Sequence, residues 1–250
     1  MNTKGGNGMG AEEKNSNETV ERLKTEFTET EKIILSRRSV RLFKKEQVPA
    51  FMIKRILEAG RFAPSAGNSQ PWKFIVVREP EIIAGITKDV VTICKLSTAL
   101  IDYRRPGYGW LRPLSKLFIR LKHNDLHPVP FEIVPLMAEG KADVWWGAPT
   151  VILIFKDVRG VSCPDLDCGI AGQNMVIAAH SMGLGTCWVG FARPAFQYMR
   201  KWSKCLGVEY PYKFASTLAI GWPMGSPNGM VPRDTHATEW FENGTKTTIY

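Results

Sequence analysis

Two short polar runs, separated by one helix-length segment, constrain this chain more than any other feature. Arg37-Arg38-Ser39-Val40-Arg41 closes a first helical segment, and Pro64-Ser65-Ala66-Gly67-Asn68-Ser69-Gln70-Pro71-Trp72 leads into a first strand. Three arginines and a serine within five residues can grip a phosphate through charge-assisted hydrogen bonds. The second run offers amide and hydroxyl groups suited to the edge of a polar ring. Taken singly, the first is a basic helix end that complements the negative helix pole, and the second is a turn punctuated by Pro, Gly and Asn. Taken together, in this order and at this distance, they point to a phosphorylated, ring-bearing ligand.

The surrounding pattern alternates helix and strand, so α with β in mixed order is the class. Ile33, Ile34 and Leu35 give an apolar patch to a helix that ends near Arg37. Phe51, Ile53, Ile56 and Leu57 repeat at helical spacing after Pro49, with Gly60 near the stop. Short β-rich runs bounded by Gly or Pro predict buried strands at 73–78, 150–155, 185–189 and 214–220. Residues 166–182 read as a long, largely apolar helix. Its small residues Gly169, Ala171, Gly172, Ala178 and Ala179 permit close approach of another helix, within the subunit or across a dimer. Trp110, Leu111, Leu114, Leu117, Phe118 and Leu121 recur at steps of three and four, with Arg112, Lys116, Arg120 and Lys122 opposite. This basic amphipathic helix reads as a surface helix packed on the core, with a lid and a membrane-surface element as alternatives.

Composition narrows the function classes. A chain of 250 residues with 44% apolar content can bury a sizeable core, which excludes disorder throughout. Residues 1–28 are Gly-, Asn- and Glu-rich and are expected to form a flexible tail before a single domain spanning 29–250. The longest apolar stretch, 144–155, is too short and too interrupted to span a bilayer, and no basic-then-apolar leader opens the chain. The expectation is a cytoplasmic protein with no membrane span. Five cysteines without a paired framework favour reduced thiols, and Cys163-x4-Cys168 lacks further ligands for a metal. The net charge of +9 accompanies no recognised nucleic-acid module, so it suits anionic cofactors or an acidic partner. His123 and His127 stand four apart, but Pro128 follows His127 directly and no further ligand is obvious, so both read as loop residues rather than metal ligands. His180 reads as a satisfied core residue, and Cys187 lacks a base that would make it a nucleophile.

Downstream, Asp167-Cys168-Gly169-Ile170-Ala171-Gly172-Gln173-Asn174-Met175 continues through Ala178-Ala179-His180 to Gly183-Leu184-Gly185-Thr186-Cys187-Trp188-Val189-Gly190. Gly221-Trp222-Pro223 and Pro232-Arg233 complete the order. With these blocks the chain resembles the FMN-dependent nitroreductase-like oxidoreductases over residues 29–250, apart from a poorly matched span at 92–144. The resemblance implies a nitroreductase-like α+β fold, with a mixed central sheet flanked by helices, in an intertwined homodimer with FMN at the subunit interface. It implies that 92–144 forms a variable lid and that 234–250, anchored by Trp240, Phe241, Ile249 and Tyr250, embraces the partner subunit.

By the same resemblance, Arg37, Arg38, Ser39 and Arg41 hold the FMN phosphate and its adjoining part, and Arg233 closes on the phosphate. Asn68 presents its amide to the pyrimidine edge of the flavin, where a turn-stabilising role is the alternative, and Pro64 and Ser65 approach the FMN of the opposite subunit. Trp188, Val189 and Gly190 supply backbone groups near flavin N5. No catalytic side-chain constellation is then needed, because the flavin carries the chemistry. The implied reaction moves electrons from NADH or NADPH to a nitroaromatic, quinone or related conjugated acceptor by a ping-pong mechanism. Reductive dehalogenation, enone reduction and flavin breakdown are the same-fold alternatives, with an acidic electron-transfer protein as a further donor. A non-enzymatic flavin-binding module is the alternative from another class.

Overall fold

The computed structural model describes residues 26–101, 107, 109–121, 128–225 and 237–248. The tail before residue 26, the two loop histidines, Arg233 and the last two residues lie outside the described residues.

Helix α1 spans Glu29–Ser36 and begins at a capping box, in which Thr28 Oγ1 accepts from the Glu31 amide at 3.3 Å while Glu31 Oε2 accepts from the Thr28 amide at 2.7 Å. It stops at Arg37, so the arginine run starts where the helix ends, as its sequence predicts. Helix α2, Ala50–Arg61, follows Pro49. Strand β1, Trp72–Val77, leads to helix α3, Pro80–Ile101. A 3-10 turn at Gly109–Leu111 precedes helix α4, Arg112–Leu121, and helix α5 covers Pro128–Ala138. Then come strand β2, Thr150–Asp157, helix α6, Pro164–Ser181, strand β3, Gly185–Trp188, and short helices α7, Arg193–Tyr198, and α8, Arg200–Cys205. Strand β4, Tyr212–Gly221, completes the main sheet, and strands β5, Glu239–Glu242, and β6, Thr245–Thr248, form a separate hairpin.

The main sheet runs β1-β2-β4-β3, and each neighbouring pair is antiparallel. Among the described residues the parallel component of the expected mixed sheet is confined to one isolated bridge, Ser39 to Thr186. Alternation along β2 divides the core into two layers. Val151, Leu153 and Phe155 face Ile86, Val90 and Cys94 of α3, Met137 of α5 and Phe196 of α7. Ile152 and Ile154 face Ile53 and Ile56 of α2 and Met175, Val176 and Ala179 of α6. Both faces of the sheet are thus covered, which accounts for the unbroken apolar run of β2.

One expectation changes, and two regions gain detail. Strand β1 lies at the sheet edge and is half-buried rather than buried, because among the described residues β2 alone flanks it. The poorly matched span is largely helical among the described residues, with α3 reaching into it and α4 and α5 inside it. The polar tail carries the β5–β6 hairpin, turned by Asn243 and Gly244 at φ 50° and 74°. That is the left-handed pair an Asn-Gly hairpin turn requires.

The small residues of α6 are divided between uses. A Cβ on Gly60 would meet Met175 Cγ at 2.9 Å and the Ala171 carbonyl at 3.3 Å, so close approach at this point serves α2–α6 packing within the subunit. Gly169 has no atom within 4 Å of its Cβ position and faces outward. All five cysteines are free. Among the described residues no helix is long and apolar enough to cross a membrane.

Candidate functional site

The arginine run is laid against the open edge of the sheet. After α1, the Val40 amide donates to the Thr186 carbonyl at 2.9 Å, and the Ser39–Thr186 bridge sets 37–41 beside β3. Strand β3 ends at Trp188, and Gly190 stands two residues beyond it. Gly190 is exposed, with no atom within 4 Å of its Cβ position. The Val189 amide is committed to the Thr217 carbonyl at 2.9 Å, and the Gly190 carbonyl accepts from Arg193 at 3.0 Å. Of the three residues predicted here, Gly190 is the one whose surroundings are open to a planar group.

Within the run, Arg37 and Arg38 are half-buried, and Ser39 and Arg41 are exposed. Arg38 Nη1 donates to the carbonyls of Leu35 and Arg37 at 2.6 and 2.7 Å, which closes the end of α1 as a basic helix terminus does. No acidic side chain lies in the run, so its donors are suited to an anion. Behind it, Ser36 Oγ meets His180 Nε2 at 2.9 Å and ties α1 to the end of α6. His180 is therefore a partnered residue, as expected, though half-exposed.

Burial, then the charges of Arg37 and Arg38, hold the His180 imidazole below its ordinary range. A depressed folded value means that the unfolded chain takes up the proton first. Stability should then be complete at neutral pH and fall once the pH drops below about 6.5, the unfolded histidine value. In the protein free of ligand, His180→Gln should flatten the melting temperature between pH 7.5 and 5 relative to wild type. An identical acid-side decline in both would separate His180 from the effect.

The second run forms a compact loop before β1. Ala66–Asn68 make one 3-10 turn, and Gly67, Asn68 and Gln70 all adopt left-handed backbone at φ 58°, 53° and 45°. Ser65 Oγ accepts from the Gln70 amide at 3.0 Å, and Asn68 Oδ1 accepts from Gln70 Nε2 at 3.1 Å. Asn68 thus performs the turn-stabilising role given as its alternative, and its exposed side chain leaves the ring-edge role available as well. Pro64 is exposed and Ser65 half-buried. Ser69 Oγ, at the end of the same turn, is buried without a partner among the described residues. The arginine run beside β3 and the amide-bearing turn before β1 thus lie at opposite edges of the sheet within one subunit. Exposed donors around the run suit an anion, and the turn, with its orphaned hydroxyl, suits a polar ring edge.

Two residues beside the run were not predicted. Asp143 Oδ1 accepts from the amides of Trp145 and Gly147 at 2.6 and 3.2 Å, and this clamp holds Trp146 at φ 61°. A bulky residue in left-handed backbone is strained by about 1–2 kcal/mol. The Arg41 guanidinium lies over the Trp146 ring, 6.0 Å from its centroid. The only sequence signal was the Gly-Ala-Pro punctuation of 147–149 before β2, which marks a turn and says nothing of what packs on it. Nearby Cys187 is buried, and burial pushes its thiol up, against the opposing charge of Arg41. A thiol so raised is a weak nucleophile, in line with its lack of a base.

Comparison with known proteins gives a consistent picture. The profile of the Nitroreductase family matches residues 34–222. A protein of Archaeoglobus fulgidus, provisionally named an NADH dehydrogenase/NAD(P)H nitroreductase, is 28% identical over 192 residues, covering 77% of this chain and 84% of its own. Iodotyrosine deiodinase of Nematostella vectensis is 27% identical over 166 residues, covering 66% of this chain and 54% of its own. The crystal structure of a nitroreductase with bound FMN from Desulfitobacterium hafniense superimposes with a TM-score of 0.62, covering 85% of this chain and all of that one. At 24% identity, that likeness establishes the fold.

Proposed function

The chain belongs to the nitroreductase family, and from that premise we propose that it is an FMN-dependent oxidoreductase taking electrons from NADH or NADPH. The acceptor in this reading is a nitroaromatic, quinone or related conjugated compound. The observation that carries it is the Ser39–Thr186 bridge, which lays the basic run beside the strand that leads, two residues past its end, to the open Gly190. Bound FMN supplies the two-electron chemistry, so the chain needs no nucleophile or general base of its own.

The residues divide the work of holding that cofactor. Arg37, Ser39 and Arg41 take the phosphate and adjoining part, joined by Arg38 when its guanidinium turns outward and by Arg233 from the far end of the chain. Asn68 and the orphaned Ser69 hydroxyl face the polar ring edge, while Trp188, Val189 and Gly190 frame the reacting side. Gly190, lacking a side chain, lets a planar group approach the backbone closely. Donor and acceptor use one open face in turn, which gives ping-pong kinetics.

A homodimer fits the same reading. Ile34 and Leu35 of α1, Phe51 of α2 and Leu166 of α6 are large, apolar and exposed, and Gly169 is open on the same helix as Leu166. Where such residues join into one patch they mark an interaction surface, and in this reading they do so across the dimer. In the dimer, FMN lies at the subunit interface, with Pro64 and Ser65 reaching the opposite flavin. The β5–β6 hairpin, with Trp240 and Phe241 exposed, embraces the partner. Trp110, Leu114 and Leu117, also exposed beside basic Lys116, suit a lid, and the basic surface suits an acidic electron-transfer protein as a further donor. The cell compartment in this reading is the cytoplasm.

Reductive dehalogenation is the second reading, favoured by the similarity to iodotyrosine deiodinase. The deciding experiment records the visible spectrum of the purified protein, then follows anaerobic bleaching with NADH, NADPH and reduced ferredoxin before adding a nitroarene or a halogenated phenol. Bleaching followed by reoxidation on addition of the nitroarene, with parallel double-reciprocal lines, is the expected result. A colourless protein unable to take up FMN would overturn the proposal.

A further inference from the structure

We propose that Trp146 is a positioning residue that holds Arg41 in place for the cofactor; this rests on the FMN reading above. Four observations meet at this side chain. Its backbone sits at φ 61°, a conformation in which a bulky residue persists only when its surroundings enforce it. Asp143 enforces it by accepting from the amides on both sides, those of Trp145 and Gly147. The Arg41 guanidinium lies over the indole at 6.0 Å, within the reach of a cation–π contact. The indole also packs, partly buried, against the core layer that includes Cys187 of β3, the strand beside which 37–41 is laid.

The arrangement acts through geometry. Arg41 is exposed, and a free arginine there would sample many rotamers before gripping an anion. An aromatic face beneath the guanidinium plane restricts those rotamers and leaves the edge N–H groups directed outward as donors. The ordering entropy is then met during folding rather than on binding, which strengthens binding without a contact between Trp146 and the ligand. The strained turn places the ring where an ordinary extended residue would direct its side chain elsewhere.

The test is a titration of flavin-free protein with FMN, followed by quenching of flavin fluorescence. Trp146→Asn is the informative variant, because Asn tolerates left-handed backbone while removing the ring. Trp146→Phe retains an aromatic face and keeps the test open should the Asn variant misfold. We expect Trp146→Asn to weaken FMN binding about three- to tenfold and Trp146→Phe to restore most of it, in keeping with the strength of such contacts. With Arg41→Ala already present, Trp146→Asn should change the affinity less than about twofold, since coupled residues are not additive. An equal loss in both backgrounds would assign Trp146 to packing and overturn the inference, as would unchanged binding in Trp146→Asn while the wild type binds FMN normally. Failure of the wild type to bind FMN would instead remove the FMN reading itself, and this inference with it.

Discussion

Protein carrying Arg37→Ala and Arg41→Ala together should emerge from gel filtration folded but colourless, in contrast to a yellow wild type. Each arginine offers charge-assisted hydrogen bonds of about 1.5–3 kcal/mol to an ionised group. Loss of both should weaken FMN by roughly two to four orders of magnitude. Neither side chain is in the core, Arg37 being half-buried at the end of α1 and Arg41 exposed, so the melting temperature of the flavin-free protein should hardly move. The comparison with riboflavin isolates the phosphate: wild type should favour FMN strongly, and the double variant should bind the two alike. Lysine in place of both arginines should fall between, because a point charge keeps attraction but loses the bidentate fork. If the double variant retains FMN through the column, the 37–41 run is not the phosphate site.

The second large effect concerns Gly172. A Cβ there would collide with Cη2 of the Trp188 indole, lie 2.6 Å from Cζ2 and come within 3.1 Å of Ile154 Cδ1. The indole cannot simply swing away, because Trp188 is anchored by pairing with Leu218 and its ring is packed between α6 and the sheet. Overpacking of this kind costs about 1–3 kcal/mol. For a chain of this size, Gly172→Ala should therefore lower the melting temperature by roughly 2–12 °C. Gly169→Ala, one turn earlier on the same helix and without neighbours, should leave it unchanged or raise it slightly through the better helix propensity of alanine. Because Trp188 leads into Val189 and Gly190, the Gly172 variant should also bind flavin less well. Equal melting temperatures for the two variants would show that Trp188 relaxes freely.

The fit between sequence and structure follows the range of the signals. The end of α1 and both ends of α2 were legible because helical spacing and its stop signals act within a few residues, through Arg37, Pro49 and Gly60. The four strands of the sheet were found for the same reason, with bounds moved by one or two residues. Asn243-Gly244 was an equally local hairpin signal, and the helical spacing of Ile83, Ile86, Val90 and Cys94 after Pro80 announced α3. Both were readable and were masked by the irregular composition around them.

The sequence by itself determined the chemistry available to this protein: a dense cluster of arginines, an amide-bearing turn and a glycine-rich approach to a strand, in an order that marks the family. Those properties are carried by consecutive residues, so they survive without knowledge of what lies nearby. Only the tertiary structure decided that Ser39 bridges Thr186, that Gly172 is reserved for the Trp188 indole, and that Asp143 and Trp146 stand behind Arg41. These pairs are separated by up to about 147 positions along the chain, and nothing local brings them together. Burial of the two core layers on either side of β2 does so, by fixing which elements become neighbours and which backbone positions must stay bare.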